Sequence, residues 1–183
     1  YYSKDENGDK VPDKYQVEVV FAAVNGTVDG KTQVEKLFNL KKGDEYAEDG
    51  SYMLTEADVP EALAAAGYDQ NTLDWDANPA GAVIDKKEGT KVTFIVSFKE
   101  ADQKYTVQYI DEDTKEGLRD QVVKEAKYGT YITGADEAVE IEGYVFTEAT
   151  DLRVSEHNES NYVFVYYSKD ENGDKVPDKY QVE

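Results

Sequence analysis

Three stretches of the chain alternate apolar and polar residues with a period of two, the pattern of strands that bury one face, and a fourth alternates aromatic rings with valines. Tyr15, Val17, Val19 and Phe21 interleave with Gln16 and Glu18, and Val92, Phe94, Val96 and Phe98 repeat the pattern. Tyr105, Val107 and Tyr109 alternate with Thr106 and Gln108, and Tyr162-Val163-Phe164-Val165 runs into Tyr166-Tyr167. Weaker strand patterns lie at Lys31 to Leu40, Leu73 to Trp75, Gln121 to Lys127 and Tyr144 to Thr147. Asn25-Gly26 and Asp29-Gly30 mark turns, and the segment from Gly43 to Gly50 reads as an acidic loop. A short helix is expected between Asp58 and Gly67. Asp58 is its N-cap, Pro60 lies in its first turn, Glu61 stands three residues after the cap, and Gly67 is the stop. Around Ala135-Asp136-Glu137 the pattern leaves helix and loop both open.

The polar stretch Lys99 to Lys104 separates two groups of strands. The expected fold is mainly β or α+β, with two small β-grasp-like modules in tandem, the first carrying one short helix. The boundaries are a linker at 1–14, a first module at 15–100, a second at 104–168, and the start of a further copy at 169–183.

That further copy is explicit in the sequence. Tyr1 to Glu18 (YYSKDENGDKVPDKYQVE) recurs letter for letter as Tyr166 to Glu183, an offset of 165 residues from position 1 to position 166. The chain therefore reads as one period of a tandem array, from the tail of one copy into the first strand of the next. In such arrays each unit meets mainly its neighbours, and length becomes part of the function. A duplication introduced when the fragment was made is the bland alternative.

Composition narrows the functional classes. The chain has 183 residues, no cysteine and one histidine, which removes disulfides, thiol nucleophiles and the usual zinc ligand sets. Its 40 acidic and 20 basic residues give a net charge of −20, a field that repels nucleic acid and anionic lipid. No apolar run is long enough to span a bilayer, and Tyr1-Tyr2-Ser3-Lys4 lacks signal-peptide character, so any signal or anchor is expected outside this stretch. Such acidity suggests disorder when aromatics are scarce, yet fifteen tyrosines and six phenylalanines in alternating runs indicate a folded chain.

The sharpest chemical signal lies in the duplicated segment. Asp5, Asn7, Asp9, Val11 and Asp13, and again Asp170, Asn172, Asp174, Val176 and Asp178, place oxygen ligands at positions one, three, five and nine, with a backbone carbonyl at seven. That spacing suits Ca2+, a hard cation wanting six to eight oxygens. The segment resembles the loops of dockerins and thrombospondin-type calcium repeats. It departs from the EF-hand pattern at Lys10, where glycine is usual, and at Gln16, where a bidentate glutamate is usual. The alternative is a solvated acidic linker whose Asn-Gly and Pro only form turns. At an extracellular-type Kd of about 10⁻⁴ to 10⁻³ M and ~1 mM calcium, binding stabilises by only about 0.4 to 1.4 kcal/mol. Such an ion biases a hinge without folding a domain.

Other candidates are weighed against simpler roles. Trp75, beside Asp74, Asp76 and Asn78, is either a core anchor or a ring for stacking on sugars. With so many carboxylates, pairs resembling a glycosidase dyad arise by chance, and two small modules leave little room for a deep cleft, so no enzymatic activity is expected. His157, in Ser155-Glu156-His157-Asn158-Glu159-Ser160, reads as a polar turn, since nothing marks either serine as a nucleophile. Asn25-Gly26-Thr27 and Asn158-Glu159-Ser160 match the glycosylation pattern by coincidence. An isopeptide bond would need a buried lysine beside a buried acid, and the runs Val92 to Phe98 and Tyr162 to Tyr167 are candidate edge strands for a partner's sheet.

The second module carries YTVQYIDEDTKEGL, YGTYI, IEGYVF and YVFVYYS in order. These resemble the MucBP/Mub family of mucin-binding repeats. The first module, with VVFAAVNGTVDG, LTEADVPEALAAAGYD and LDWDANPAGAVI, is similar to a companion repeat of gut Firmicutes surface proteins. The resemblances imply an extracellular, cell-wall-attached location on a Gram-positive bacterium, with host mucin or immunoglobulin as partner. They identify no ligand-contacting residue. The leading expectation is a repeat of a surface adhesin that binds host glycoprotein, with a superantigen-like mode among the options. The alternative is a rigid spacer that projects a distal binding domain. Expected partners are host glycoprotein and neighbouring repeats, with no nucleic acid and no membrane insertion.

Overall fold

The strongest alternating runs become the centres of two sheets in the computed structural model, which describes residues 1–87 and 91–182. The chain forms two compact units, Tyr1–Lys99 and Glu100–Glu183. Glu183, which closes the duplicated segment, lies outside the described residues. The fold is mainly β. Helical segments among the described residues are short 3-10 turns.

In the first unit, β1 (Gln16–Val24), β2 (Gln33–Asn39), β3 (Tyr68–Trp75) and β4 (Lys91–Glu100) form one sheet in the order β2-β1-β4-β3. β1 pairs antiparallel with β2 and parallel with β4. The parallel pair forces a long crossover between the two central strands. That crossover covers one face of the sheet, where Val17, Val19, Phe21, Phe94, Val96 and Phe98 bury against Val28, Leu40, Leu54 and Ile84.

The second unit repeats the plan. β5 (Asp102–Asp111), β6 (Val122–Lys127), β7 (Tyr144–Ala149) and β8 (Tyr162–Lys169) lie in the order β6-β5-β8-β7, with β5 and β8 parallel. Tyr105, Val107, Tyr109, Val163, Val165 and Tyr167 form its core. In both units the second, first, last and third strands follow one another across the sheet. This is a β-grasp order in which coil, 3-10 turns and short ladders replace the covering helix.

Two expectations are corrected. The helix between Asp58 and Gly67 does not form: a 3-10 turn occupies Glu56–Asp58, and Ala62–Ala64 is a strand paired with Gly26–Val28. Only about two helical turns fit between Pro60 and Gly67, too few for an isolated helix, while the neighbouring strand offers its backbone groups directly. The capping chemistry is present but shifted. Asp58 accepts hydrogen bonds from the Thr55 N–H (2.8 Å) and hydroxyl (2.9 Å), acting at the third position of the turn instead of as its cap. Gly26 lets the ladder close, since a Cβ there would lie 2.4 Å from the Leu63 carbonyl oxygen.

The runs Val92 to Phe98 and Tyr162 to Tyr167 are not edges but lie within the central strands β4 and β8. The sheet edges are β2, β3, β6 and β7. The boundary between the two units falls within the polar stretch Lys99 to Lys104, where Lys99 and Glu100 end β4, Asp102 begins β5, and Ala101 alone lies between them. Asp102 and Lys104 face solvent at the start of β5, while Gln103 between them is buried.

Candidate functional site

The two copies of the duplicated segment adopt the same internal conformation. Lys10 N–H donates to Asp5 Oδ2 (3.0 Å) and Lys175 N–H to Asp170 Oδ2 (3.0 Å). Val11 N–H donates to Asp9 Oδ1 and Val176 N–H to Asp174 Oδ1, each at 2.9 Å. Glu6 N–H reaches Asp13, and Glu171 N–H reaches Asp178, at 3.1 Å. Backbone φ is positive at Gly8 and Gly173 (70° each), and at Lys10 (73°) and Lys175 (70°). The lysines thus take the left-handed turn that a glycine would supply, at a cost of roughly 1–2 kcal/mol each. Recurrence of this conformation on two different units shows that the segment's own side chains fold it.

Gln16 and Gln181, at position twelve, donate through Nε2 to Asp9 Oδ2 (2.6 Å) and Asp174 Oδ2 (2.5 Å). These amides hold the Asp9 and Asp174 carboxyls below the ordinary carboxylate range, with the Val11 and Val176 N–H groups next in strength. Among the described residues, no three His, Cys, Asp or Glu side chains form a ready metal cage. The loop oxygens are committed first to backbone amides.

The copies differ in their anchorage. The Asp5 carboxylate takes hydrogen bonds on both oxygens, Oδ1 from Asp9 N–H (3.3 Å) and Oδ2 from Lys10 N–H. Asp170 is 3% exposed, and its N–H donates to the Gly143 carbonyl (2.8 Å). Its Oδ1 is buried without a hydrogen-bond partner. Further along, Lys179 Nζ bridges Glu112 Oε1 (2.7 Å) and Asp113 Oδ1 (3.1 Å) in the turn after β5. That bridge raises the lysine and, with the Thr147 hydroxyl, lowers Glu112. Asp111 builds the turn, accepting from Asp113 N–H (2.8 Å) and Thr114 N–H (3.2 Å).

A second feature lies on the solvent side of the second sheet. Along β8, Val163, Val165 and Tyr167 face the core, while the half-exposed Tyr162, Phe164 and Tyr166 face away. The first two rings are parallel, with centroids 5.7 Å apart and 4° between planes, and Lys115 Nζ lies 5.9 Å from the Tyr166 centroid. In register beside them on β5 stand Thr106, Gln108 and Ile110. The alternation placed this strand but not its facing, because both of its faces are apolar. The available signal was that Val163 and Val165 alternate with the rings of Tyr162, Phe164 and Tyr166, although Tyr167 puts a ring in the core set as well.

The remaining candidates take simpler places. Trp75 packs on the first core, edge-on to Phe21 at 6.1 Å. His157 lies in an exposed polar turn near Glu156 and Glu159. Glu35 is raised above its ordinary value, first by hydrogen bonding with Glu18 and then by that group's charge, on the outer face of the first sheet where Lys91 approaches Glu18 (3.6 Å). Among the described residues, no lysine is buried, so the environment an isopeptide bond needs does not arise there.

No helix among the described residues is long and apolar enough to cross a membrane. No protein-family model matches the chain, and no curated protein sequence matches it.

Proposed function

We propose that this chain is a repeat of a Gram-positive surface adhesin, displayed outside the cell wall, whose second unit contacts host glycoprotein through the outer face of its sheet. The observation that carries this reading is the row Tyr162, Phe164 and Tyr166. Three half-exposed rings in line on a central strand, beside the Thr106 hydroxyl and Gln108 amide, form a flat surface with polar flanks. Aromatic faces of this kind stack on sugar rings and anchor protein interfaces. The resemblance of the second unit to MucBP/Mub repeats points the same way and makes mucin glycan the first ligand to try, with immunoglobulin second. A single row is a weak contact that an array multiplies by effective concentration. In this reading the units bind without catalysing.

The test is retention of the chain on immobilised mucin. The triple variant Tyr162→Ala/Phe164→Ala/Tyr166→Ala is expected to abolish retention while leaving the thermal unfolding of the first unit in place. Retention of the variant at the wild-type level rules this face out. A spacer that projects another domain is the second reading, favoured by the linker's identical conformation in both copies. If neither the chain nor a multi-copy array is held by mucin or pooled immunoglobulin, the spacer reading replaces the adhesin.

A further inference from the structure

We infer that the loop from Asp170 to Gln181 binds one calcium ion, that Asp170 Oδ1 is its anchoring ligand, and that the identical loop from Asp5 to Gln16 is a markedly weaker site in this chain. The site stands whatever the outer face of the second unit contacts.

A buried carboxylate oxygen without a partner is costly and rare, and it calls for an ion or a water. Asp170 is 3% exposed, and Oδ1 is that orphaned atom. Its partner oxygen Oδ2 accepts the Lys175 N–H across the loop (3.0 Å), which turns the carboxylate toward the loop interior. The side chains that share the loop supply oxygen. Asn172 Oδ1, Asp174 Oδ1 and Asp178 Oδ2 each hold a backbone N–H, at 3.1, 2.9 and 3.1 Å. A carboxylate has about four lone-pair sites, so these bonds shape the loop without exhausting its ligands. Gln181 takes position twelve, and rotating its amide would present an oxygen where Nε2 now donates.

Two neighbouring lysines pair outside the loop, Lys179 with Glu112 and Asp113 and Lys169 with Glu171, while the exposed Lys175 enters the loop through its backbone N–H. A cation from solution is the natural complement of this set. An all-oxygen site with several carboxylates, built on a flexible loop, favours calcium over the smaller and more rigidly octahedral magnesium. The loop must close slightly on the ion, which places the affinity in the extracellular class of about 10⁻⁴ to 10⁻³ M.

The difference between copies comes from what lies behind the first ligand. The Asp170 N–H is fixed to Gly143, and Ser168 beside it is buried with its hydroxyl on Asp113 Oδ2 (3.2 Å). Asp5 is only half-buried and satisfies both oxygens within its own loop. A calcium ion at Asp5 has to displace a hydrogen bond, whereas at Asp170 it fills a vacant acceptor.

Calcium titration of the full chain, by calorimetry and by tyrosine-sensitised terbium luminescence, tests this. One ion per chain is expected in the millimolar class. Asp170→Asn should weaken binding at least about ten-fold, and Asp5→Asn should leave it unchanged. Asp174→Asn, at an exposed position, should weaken binding in the same direction and guards against a folding defect at Asp170. Absence of binding through about 10⁻² M calcium overturns the inference. Equal weakening by Asp5→Asn and Asp170→Asn also overturns it, as does an Asp170→Asn chain that binds like the wild type, which would assign a water to Oδ1.

Discussion

The two units share one strand order and differ in what covers the sheet. Over the first, the crossover builds three two-stranded ladders, and the core holds eleven buried hydrophobic residues among those described. Over the second there is one such ladder, Tyr131–Ile132 with Leu152–Arg153, and six buried core residues. With less apolar volume, the second unit ties its cover down through tyrosine hydroxyls. Tyr105 donates to Glu137 Oε1 (3.0 Å), and Tyr167 donates to the Val139 carbonyl (2.7 Å) while accepting the Val139 N–H (3.0 Å). One topology is thus held in one case by packing and in the other by packing joined to polar contacts.

Substitutions sharpen that contrast. Phe21→Ala removes a fully buried ring that stacks on Phe94 at 5.8 Å, and it should cost about 3–5 kcal/mol. Trp75, the single tryptophan, lies on the same core, so its fluorescence should register the loss while the second unit's unfolding stays in place. Equal loss in both units would mean they unfold as one. Gly134→Ala tests the cover of the second unit, because a Cβ there would lie 1.9 Å from the Thr150 carbonyl oxygen. The backbone must shift, at about 1–3 kcal/mol, measurable by urea unfolding followed through tyrosine emission. Tyr167→Phe leaves both Val139 backbone groups without their side-chain partner and should cost about 1–2 kcal/mol. A cost near zero would show that water replaces the hydroxyl.

The smallest effect concerns the Lys179 bridge. Glu112 is held low, first by Lys179 and then by Thr147, so its contribution is full above the ordinary carboxylate pKa of about 4.3 and is lost as pH falls through the lower folded value. Lys179 is raised, so its contribution is full below its ordinary value of about 10.4 and is lost above the higher folded one. The tie should therefore persist across neutral pH and release in acid. Chemical shifts of Tyr180 followed by NMR would show this, and Glu112→Gln should remove the acid step without moving either melting transition.

The central strands were legible because alternation over five or more residues leaves one face that must be buried. Short ladders such as Gly26–Val28 with Ala62–Ala64 were not, since two or three residues carry no period and their partner is distant in the chain. The expected helix failed for the same reason: Pro60 and the alanines favour a helix locally, but pairing with a distant strand prevailed. The acidic segments were legible as a repeat because letter-for-letter identity is a local property of the sequence. What the spacing could not show is that the copies differ, since that depends on Gly143 and the burial of Asp170. Edges and centres were likewise invisible, because sheet order is a property of the whole unit.

The parallel pairing of β1 with β4 and of β5 with β8 has a mechanical consequence. In each unit the first strand begins at one end of the sheet, and the last strand finishes at the opposite end. Tension on the two ends of a unit therefore drags these neighbours past one another lengthwise. The seven paired positions from Glu18 opposite Lys91 to Val24 opposite Ser97, and the six from Thr106 opposite Tyr162 to Asp111 opposite Tyr167, share such a load together instead of parting one rung at a time.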